Sequence, residues 1–263
     1  AAWVERAEQD SAAVSLRLPR LTAPESTGFE ALVGSDGTGD GERATDPSGA
    51  GDGSTGTPSS EPSADETAEP SPEPTEDPDP DDVVTLLHVS DLHCNVGMAP
   101  VIRRVAELSG AAAIRDTGAL TRTGTAVERF YVTTCAGAAP DGAPYVLITG
   151  NHDSAETAGQ ARAAGMTVLD GGVIEVEGVR ILGDGDPNET RPGIGTQPTS
   201  EEDVEAFADR MMRVACDEDE RVDLLMVHTP RSGTAALSSG CAATQLSGHV
   251  HRRIGPTRVG LGV

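Results

Sequence analysis

The sequence predicts an α/β fold with a sheet that is largely parallel in its first half. Three observations carry that reading. Short runs rich in β-branched and aliphatic residues alternate with segments whose apolar residues recur at helical spacing. Capping and stop signals separate the two kinds of segment. The texture begins abruptly at Val83, after some eighty residues that lack it.

Val14, Leu16 and Leu18 alternate with polar neighbours as in a short strand, closed by Pro19 and Pro24. Residues 1–33 are too few to fold alone and read as the remnant of a removed domain. Residues 34–82 contain no Ile, Leu, Phe, Tyr, Trp or Met, and Glu61–Asp82 is a run of prolines and acids. Such a segment buries too little apolar area to offset the entropy of ordering, which predicts a disordered, extended acidic linker. Residues 83–263 form the folded domain. Val83–Val89 reads as a buried strand. Val101, Ile102, Val105 and Leu108 place a helix over Met98–Leu108, with Gly110 as its stop. Strands follow at Ala111–Arg115 and Tyr145–Thr149, and helices at Thr125–Val132 and Ser154–Ala164. Short strands are expected at Met166–Leu169, Val173–Val176 and Val179–Leu182. Ser200 and Asp203 resemble a capping box for a helix running to Val214. Asp223–Val227 and Thr244–Ser247 close the series as strands.

Charge excludes some functions. The chain carries 43 Asp and Glu against 19 cationic residues, all Arg, for a net charge of −24. That balance disfavours sequence-independent nucleic-acid binding and contact with anionic membrane surfaces. Residues 1–82 hold 20 of the acids and 4 of the arginines, so most of the net negative charge belongs to this tail and not to the folded part. No apolar run approaches the roughly 18 residues of a membrane span. Arg without Lys, with abundant Ala, Gly and Pro, points to a GC-rich bacterial genome. A Pro-rich acidic spacer ahead of a folded domain fits a stalk, which leaves a cell-surface and a cytoplasmic location both open.

Five of the six histidines follow predicted strands directly. They lie in Ser90-Asp91-Leu92-His93, Gly150-Asn151-His152-Asp153, Val227-His228-Thr229-Pro230 and Gly248-His249-Val250-His251. Ligands of α/β sheets bind beyond the carboxyl ends of the strands. Each fragment alone is an ordinary turn or strand end; four in order, all at strand ends, predict a metal centre. Imidazole, carboxylate and amide oxygen without thiolate suit Mn, Fe or Zn in an open site rather than a closed structural zinc. If these segments are extended, Asp91 and His93 share a face, as do His249 and His251. Two adjacent ions can clamp a phosphate and activate a water.

In this order the motifs resemble the calcineurin-like metallophosphoesterases, whose signature is Asp-x-His, Gly-Asp, Gly-Asn-His-Asp/Glu, a lone His and Gly-His-x-His. The resemblance covers Val83 to the C-terminus. It implies two stacked mixed β-sheets flanked by helices in four layers, two divalent metal ions and a phosphate-ester substrate. It also implies that Asp91, His93 and His251 hold the first ion and Asn151, His228 and His249 the second. His152 is then the catalytic residue over the scissile phosphate, steadying charge or protonating the leaving oxygen. Relatives continue with further strands after the last motif, so the domain is expected to be truncated at its C-terminus, with an exposed sheet edge.

One element departs from the pattern. Asp116-Thr117-Gly118-Ala119-Leu120-Thr121 has Ala119 where the family's Gly-Asp supplies a carboxylate bridging both ions. Two dications ~4 Å apart repel by roughly 17 kcal/mol at an effective dielectric near 20, before any anionic ligand offsets it. Weaker metal binding and a large loss of activity are expected. Three explanations stay open: an engineered inactivation, a natural degenerate site that binds phosphate or nucleotide without turnover, and activity with one ion or a bridging hydroxide.

Cys94, Cys135, Cys216 and Cys241 have no metal-ligand spacing and read as small buried hydrophobes; two disulfides are allowed, with no pairing legible. His88, within a strand, reads as a core histidine. Arg252 and Arg253 read as surface charge or as partners of a substrate phosphate. No P-loop, dinucleotide fingerprint or serine-hydrolase elbow is present. The expected function is metal-dependent hydrolysis of phosphomonoesters or phosphodiesters, impaired by Ala119. The alternative is a catalytically silent phosphate- or nucleotide-binding module.

Overall fold

The computed structural model describes residues 14–19 and 83–254. The expected linker at 34–82, all but one strand of residues 1–33, and the end of the chain lie outside the described residues. In chain order the strands begin with β1 (Val14–Pro19) and β2 (Val83–Val89), followed by helix α1 (Met98–Ser109) and β3 (Ala113–Asp116). A 3-10 turn (Ala126–Glu128) leads into α2 (Arg129–Ala136). Next come β4 (Tyr145–Leu147), α3 (Ala155–Ala163), β5 (Thr167–Val168), β6 (Val173–Val176) and β7 (Val179–Gly183). A hairpin of β8 (Asn188–Arg191) and β9 (Gly195–Pro198) precedes α4 (Val204–Asp217), β10 (Val222–Met226), α5 (Thr234–Ser238) and β11 (Ala242–Leu246).

The architecture is mixed α/β with three sheets. The five-stranded sheet runs β1-β2-β3-β4-β5. Its strands β2 to β5 are parallel, and β1 adds antiparallel to β2, with Val14 opposite His88. The four-stranded sheet runs β11-β10-β7-β6, parallel except for the β6–β7 hairpin. The third is the β8–β9 hairpin. Among the described residues no helix is long and apolar enough to cross a membrane.

Local chemistry explains most element ends. The apolar stripe of α1 buries Met98, Ala99, Ile102 and Ala106. Gly110, at φ +63°, stops the helix by turning its N–H onto the carbonyls of Ala106 and Glu107. Thr125 and Glu128 form a capping box before α2. The N-cap of α4 is Asp203, whose Oδ1 accepts from the Ala206 N–H at 2.8 Å. The expected Ser200 cap is therefore corrected by three residues: the Ser200 hydroxyl instead accepts from the Glu202 N–H within the loop.

Strand alternation divides the core in three. Leu87, Val89, Ile114 and Leu147 face α1 and α2. Leu86, Ala113, Val146 and Ile148 of the first sheet meet Ile181, Leu224 and Met226 of the second. Leu182, Leu225 and Val227 pack on Phe207 and Met211 of α4. Each fully buried Leu or Ile contributes about 1.5–3 kcal/mol. A disulfide between Cys216 and Cys241 ties the end of α4 to the start of β11. That corrects the reading of these two cysteines as small hydrophobes; Cys135 is buried and free, as expected.

Candidate metal centre

The loops leaving β2, β3, β4, β10 and β11 meet at the carboxyl ends of their strands. They carry all seven residues singled out from the sequence. Backbone bonds lace them together: the Asp91, His93 and Cys94 N–H groups donate to the carbonyls of Gly118, Ala119 and Leu120, each at 2.9 Å. The expected extended segments are absent. Asp91, His93, His249 and His251 have left-handed backbones, with φ of 56°, 45°, 71° and 53°. Tight turns, not strand alternation, bring each pair to one face. Cys94 and Ala119 share this conformation, and among the described non-glycine residues only Glu177, in a hairpin turn, does so elsewhere. Backbone of this kind costs free energy and concentrates at functional sites.

Glycine sets how closely the loops approach. A Cβ on Gly150 would collide with the Ala119 amide nitrogen and reach the His228 ring at 2.8 Å. A Cβ on Gly248 would collide with the Ser90 hydroxyl and lie 2.7 Å from Asp91 Oδ2. Both motif glycines are thus required by packing against candidate ligands.

The donors fall into two groups joined through Asp91. Donor atoms of Asp91, His93 and His251 lie within 4.8 Å of one another. His93 Nε2 and His251 Nε2 are 3.1 Å apart, and His251 Nε2 is 3.4 Å from Asp91 Oδ1. The second group is His228 and Asn151, with Nε2 2.9 Å from Oδ1. Asp91 Oδ1 is 3.9 Å from both His93 Nε2 and His228 Nε2, so one carboxylate oxygen is equidistant from a ring of each group. The Asp91 carboxylate also accepts the His249 N–H at 3.0 and 3.2 Å. The His249 ring meets that of His228 edge-on at 5.2 Å, and His152 meets His93 in the same way at 4.8 Å.

These residues fit a cation. His228 Nδ1 lies 2.7 Å from the Thr117 carbonyl, which can only accept, so this nitrogen carries the proton. In the neutral ring Nε2 is then a lone pair, and it faces the Asn151 carbonyl oxygen, a second acceptor. Two acceptors at that separation repel unless something positive lies between them. A ligating imidazole commonly donates its other N–H to a backbone carbonyl in this way. Burial, and next the neighbouring His152, hold the His93 imidazole below its usual pKa, favouring the neutral form that a cation requires.

Ala119 is fully buried where the two groups meet, its backbone against His93 on one side and Gly150 on the other. Asp116 does not replace the missing carboxylate. Its Oδ1 accepts from the Gly118 N–H and its Oδ2 from the Tyr145 hydroxyl, and burial raises its pKa to about 8. Cys94 is no ligand either: burial, then its bond to Glu128, raises its pKa to about 12, and the thiol donates to Glu128 Oε1. His88 is the expected core histidine, hydrogen-bonded to the Thr117 hydroxyl and lowered by burial to about 4. Arg252 and Arg253 are exposed.

Sequence reasoning missed the residues that support the site. Asp153 accepts from the N–H groups of Leu120, Thr121 and Gly150 and from the Thr121 hydroxyl, stapling the Ala119 loop to the Asn151 loop. Arg191 of β8 donates to the carbonyls of His152 and Asp153 at 3.2 and 2.7 Å. Thr190 accepts from Asn151 Nδ2 at 2.8 Å. Asp153 follows the Gly-Asn-His run directly and was readable; nothing in Asn188–Arg191 signals a partner 39 residues earlier.

No family model matches this chain, and no curated protein does. Among solved structures, an NAD nucleotidase of Haemophilus influenzae is similar over 64% of this chain at 14% identity, with a TM-score of 0.42. A 5'-nucleotidase precursor of Thermus thermophilus is similar over 55%, at 13% identity and a TM-score of 0.35. This chain spans 38% and 37% of their lengths. Likeness of this size says nothing of activity.

Proposed function

We propose that this domain is a metal-dependent phosphoesterase scaffold, acting on phosphomonoesters or phosphodiesters, with catalysis impaired by Ala119. The observation that carries the reading is the pair of donor groups sharing Asp91. Asp91, His93 and His251 hold one divalent ion; Asn151, His228 and His249 are assigned to a second. Mn, Fe or Zn suits this donor set. The three cores are read as the spaces of a four-layer sandwich, and residues 34–82 as a linker ahead of the domain.

Bound ions supply an activated water and a counter-charge for the phosphate oxygens. The chain's own residues do the rest. Asp91 offsets positive charge at the centre while its second oxygen is steadied by the His249 N–H. His152 has Nδ1 3.2 Å from the Arg122 carbonyl, which keeps a proton there, so that in the imidazolium form the Nε2 proton is the one given to the substrate's leaving oxygen. The Asp153 staple holds that ring and Asn151 on one turn.

Ala119 favours the second reading, a phosphate-binding module without turnover, because among the described residues no other carboxylate takes the place of the one missing there. The test is hydrolysis of p-nitrophenyl phosphate and bis(p-nitrophenyl) phosphate with Mn²⁺, before and after Ala119→Asp. Asp also tolerates the left-handed backbone at this position better than Ala. The expected result is a gain of about 100-fold or more, the scale of one well-placed electrostatic group. Mn²⁺ binding without hydrolysis in both forms selects the silent module.

A further inference from the structure

The β8–β9 hairpin contributes no candidate ligand, yet it grips the turn that carries Asn151 and His152. The Thr190 N–H donates to the Asn151 backbone carbonyl at 2.6 Å. The Asn151 side chain returns the contact, Nδ2 donating to Thr190 Oγ1, and that hydroxyl lies 2.9 Å from the Thr196 hydroxyl on β9. Arg191 covers the next two carbonyls and is held by Glu189 at 2.8 Å.

An asparagine amide has one face that ligates cations and one that repels them. Its carbonyl oxygen can coordinate, whereas its NH₂ presents protons. The two orientations differ by a half-turn of the amide group, so whatever binds the NH₂ decides which atom faces His228.

We propose that Thr190, backed by Thr196, is a positioning residue that fixes the Asn151 amide with its oxygen toward His228. With the Thr190 proton directed to Thr196, its lone pair receives Nδ2–H and Oδ1 is left for the cation. The ligand role of Asn151 rests on the proposed function above; the orientation of the amide does not.

The test compares the full chain with Thr190→Val and Thr190→Ser. In metal-free protein, nuclear Overhauser contacts from the Asn151 NH₂ protons read the orientation directly. They are expected at residue 190 and absent at the His228 ring proton in the unmodified chain and Thr190→Ser. In Thr190→Val contacts to the His228 ring appear. Calorimetric titration with Mn²⁺ is the second readout: Thr190→Val weakens the site containing Asn151 about tenfold, the lower end for partners behind a metal ligand, and Thr190→Ser restores it. An unchanged amide in Thr190→Val overturns the proposal. No Mn²⁺ binding to the unmodified chain overturns the ligand role of Asn151 and the proposed function, while the amide contacts still judge Thr190.

Discussion

Glu128 shows how much of the site's order rests on one carboxylate outside the donor set. It accepts from the N–H groups of Arg122, Thr123 and Thr125, the Thr123 hydroxyl and the Cys94 thiol. Burial alone raises its pKa, but the bonds from Thr125, Thr123, Cys94 and Arg122 outweigh that and pull it from 4.5 to about 2. A folded-state pKa below the unfolded value gives stability that is complete above pH 4.5 and is lost as pH falls toward 2. Glu128→Gln is therefore expected to flatten the acid limb of a stability-against-pH curve between those values. An acid limb as steep as in the unmodified chain contradicts this role. The residue types at the centre were legible because His and Asp at strand ends are a chemical pattern. Of the supporting residues only Asp153 stood inside a motif; Glu128 acts by accepting backbone N–H groups, which leave no trace in spacing. Arg115, the last residue of an expected strand, is fully buried in β3, its Nη1 donating to the Ile114 carbonyl.

At the scale of elements, the strands and helices of the two large sheets were readable from period and punctuation. Boundaries moved by one to four residues: the helix expected over Thr125–Val132 opens as a 3-10 turn and runs on to Ala136, and α4 is capped by Asp203 rather than Ser200. The β8–β9 hairpin was not readable: Asn188–Arg191 and Gly195–Pro198 lack apolar alternation because neither strand covers the core. The motif loops lie at the strand ends as expected but were misread in conformation, because the left-handed turns at Asp91, His93, His249 and His251 are uncommon for any non-glycine residue and leave no mark in the pattern. The Cys216–Cys241 disulfide closes a loop of sequence separation 25, and chain entropy assigns such a cross-link roughly 3–4 kcal/mol. Cys216→Ser with Cys241→Ser should lower stability in urea by about that amount without changing metal binding, since neither residue touches the centre. A stability equal to that of the unmodified chain would show that the cross-link does not form in solution.

At the scale of the whole molecule, the arrangement is two parallel-rich sheets that send their carboxyl-end loops to one place, so that ligands distant in sequence converge there. His228 and Thr117 touch across 111 residues and His93 and His251 across 158. Because the convergence exists only in the folded chain, metal binding there should stabilise the fold. We infer that this convergence holds a divalent cation. The most direct test is the number of Mn²⁺ ions retained per chain after equilibration and removal of free ion, measured by elemental analysis. The comparison is between the unmodified chain and the double variant His93→Ala, His251→Ala. We predict that the unmodified chain retains one ion or two and that the double variant retains fewer. No retained ion in the unmodified chain, or the same number in both, would contradict the account.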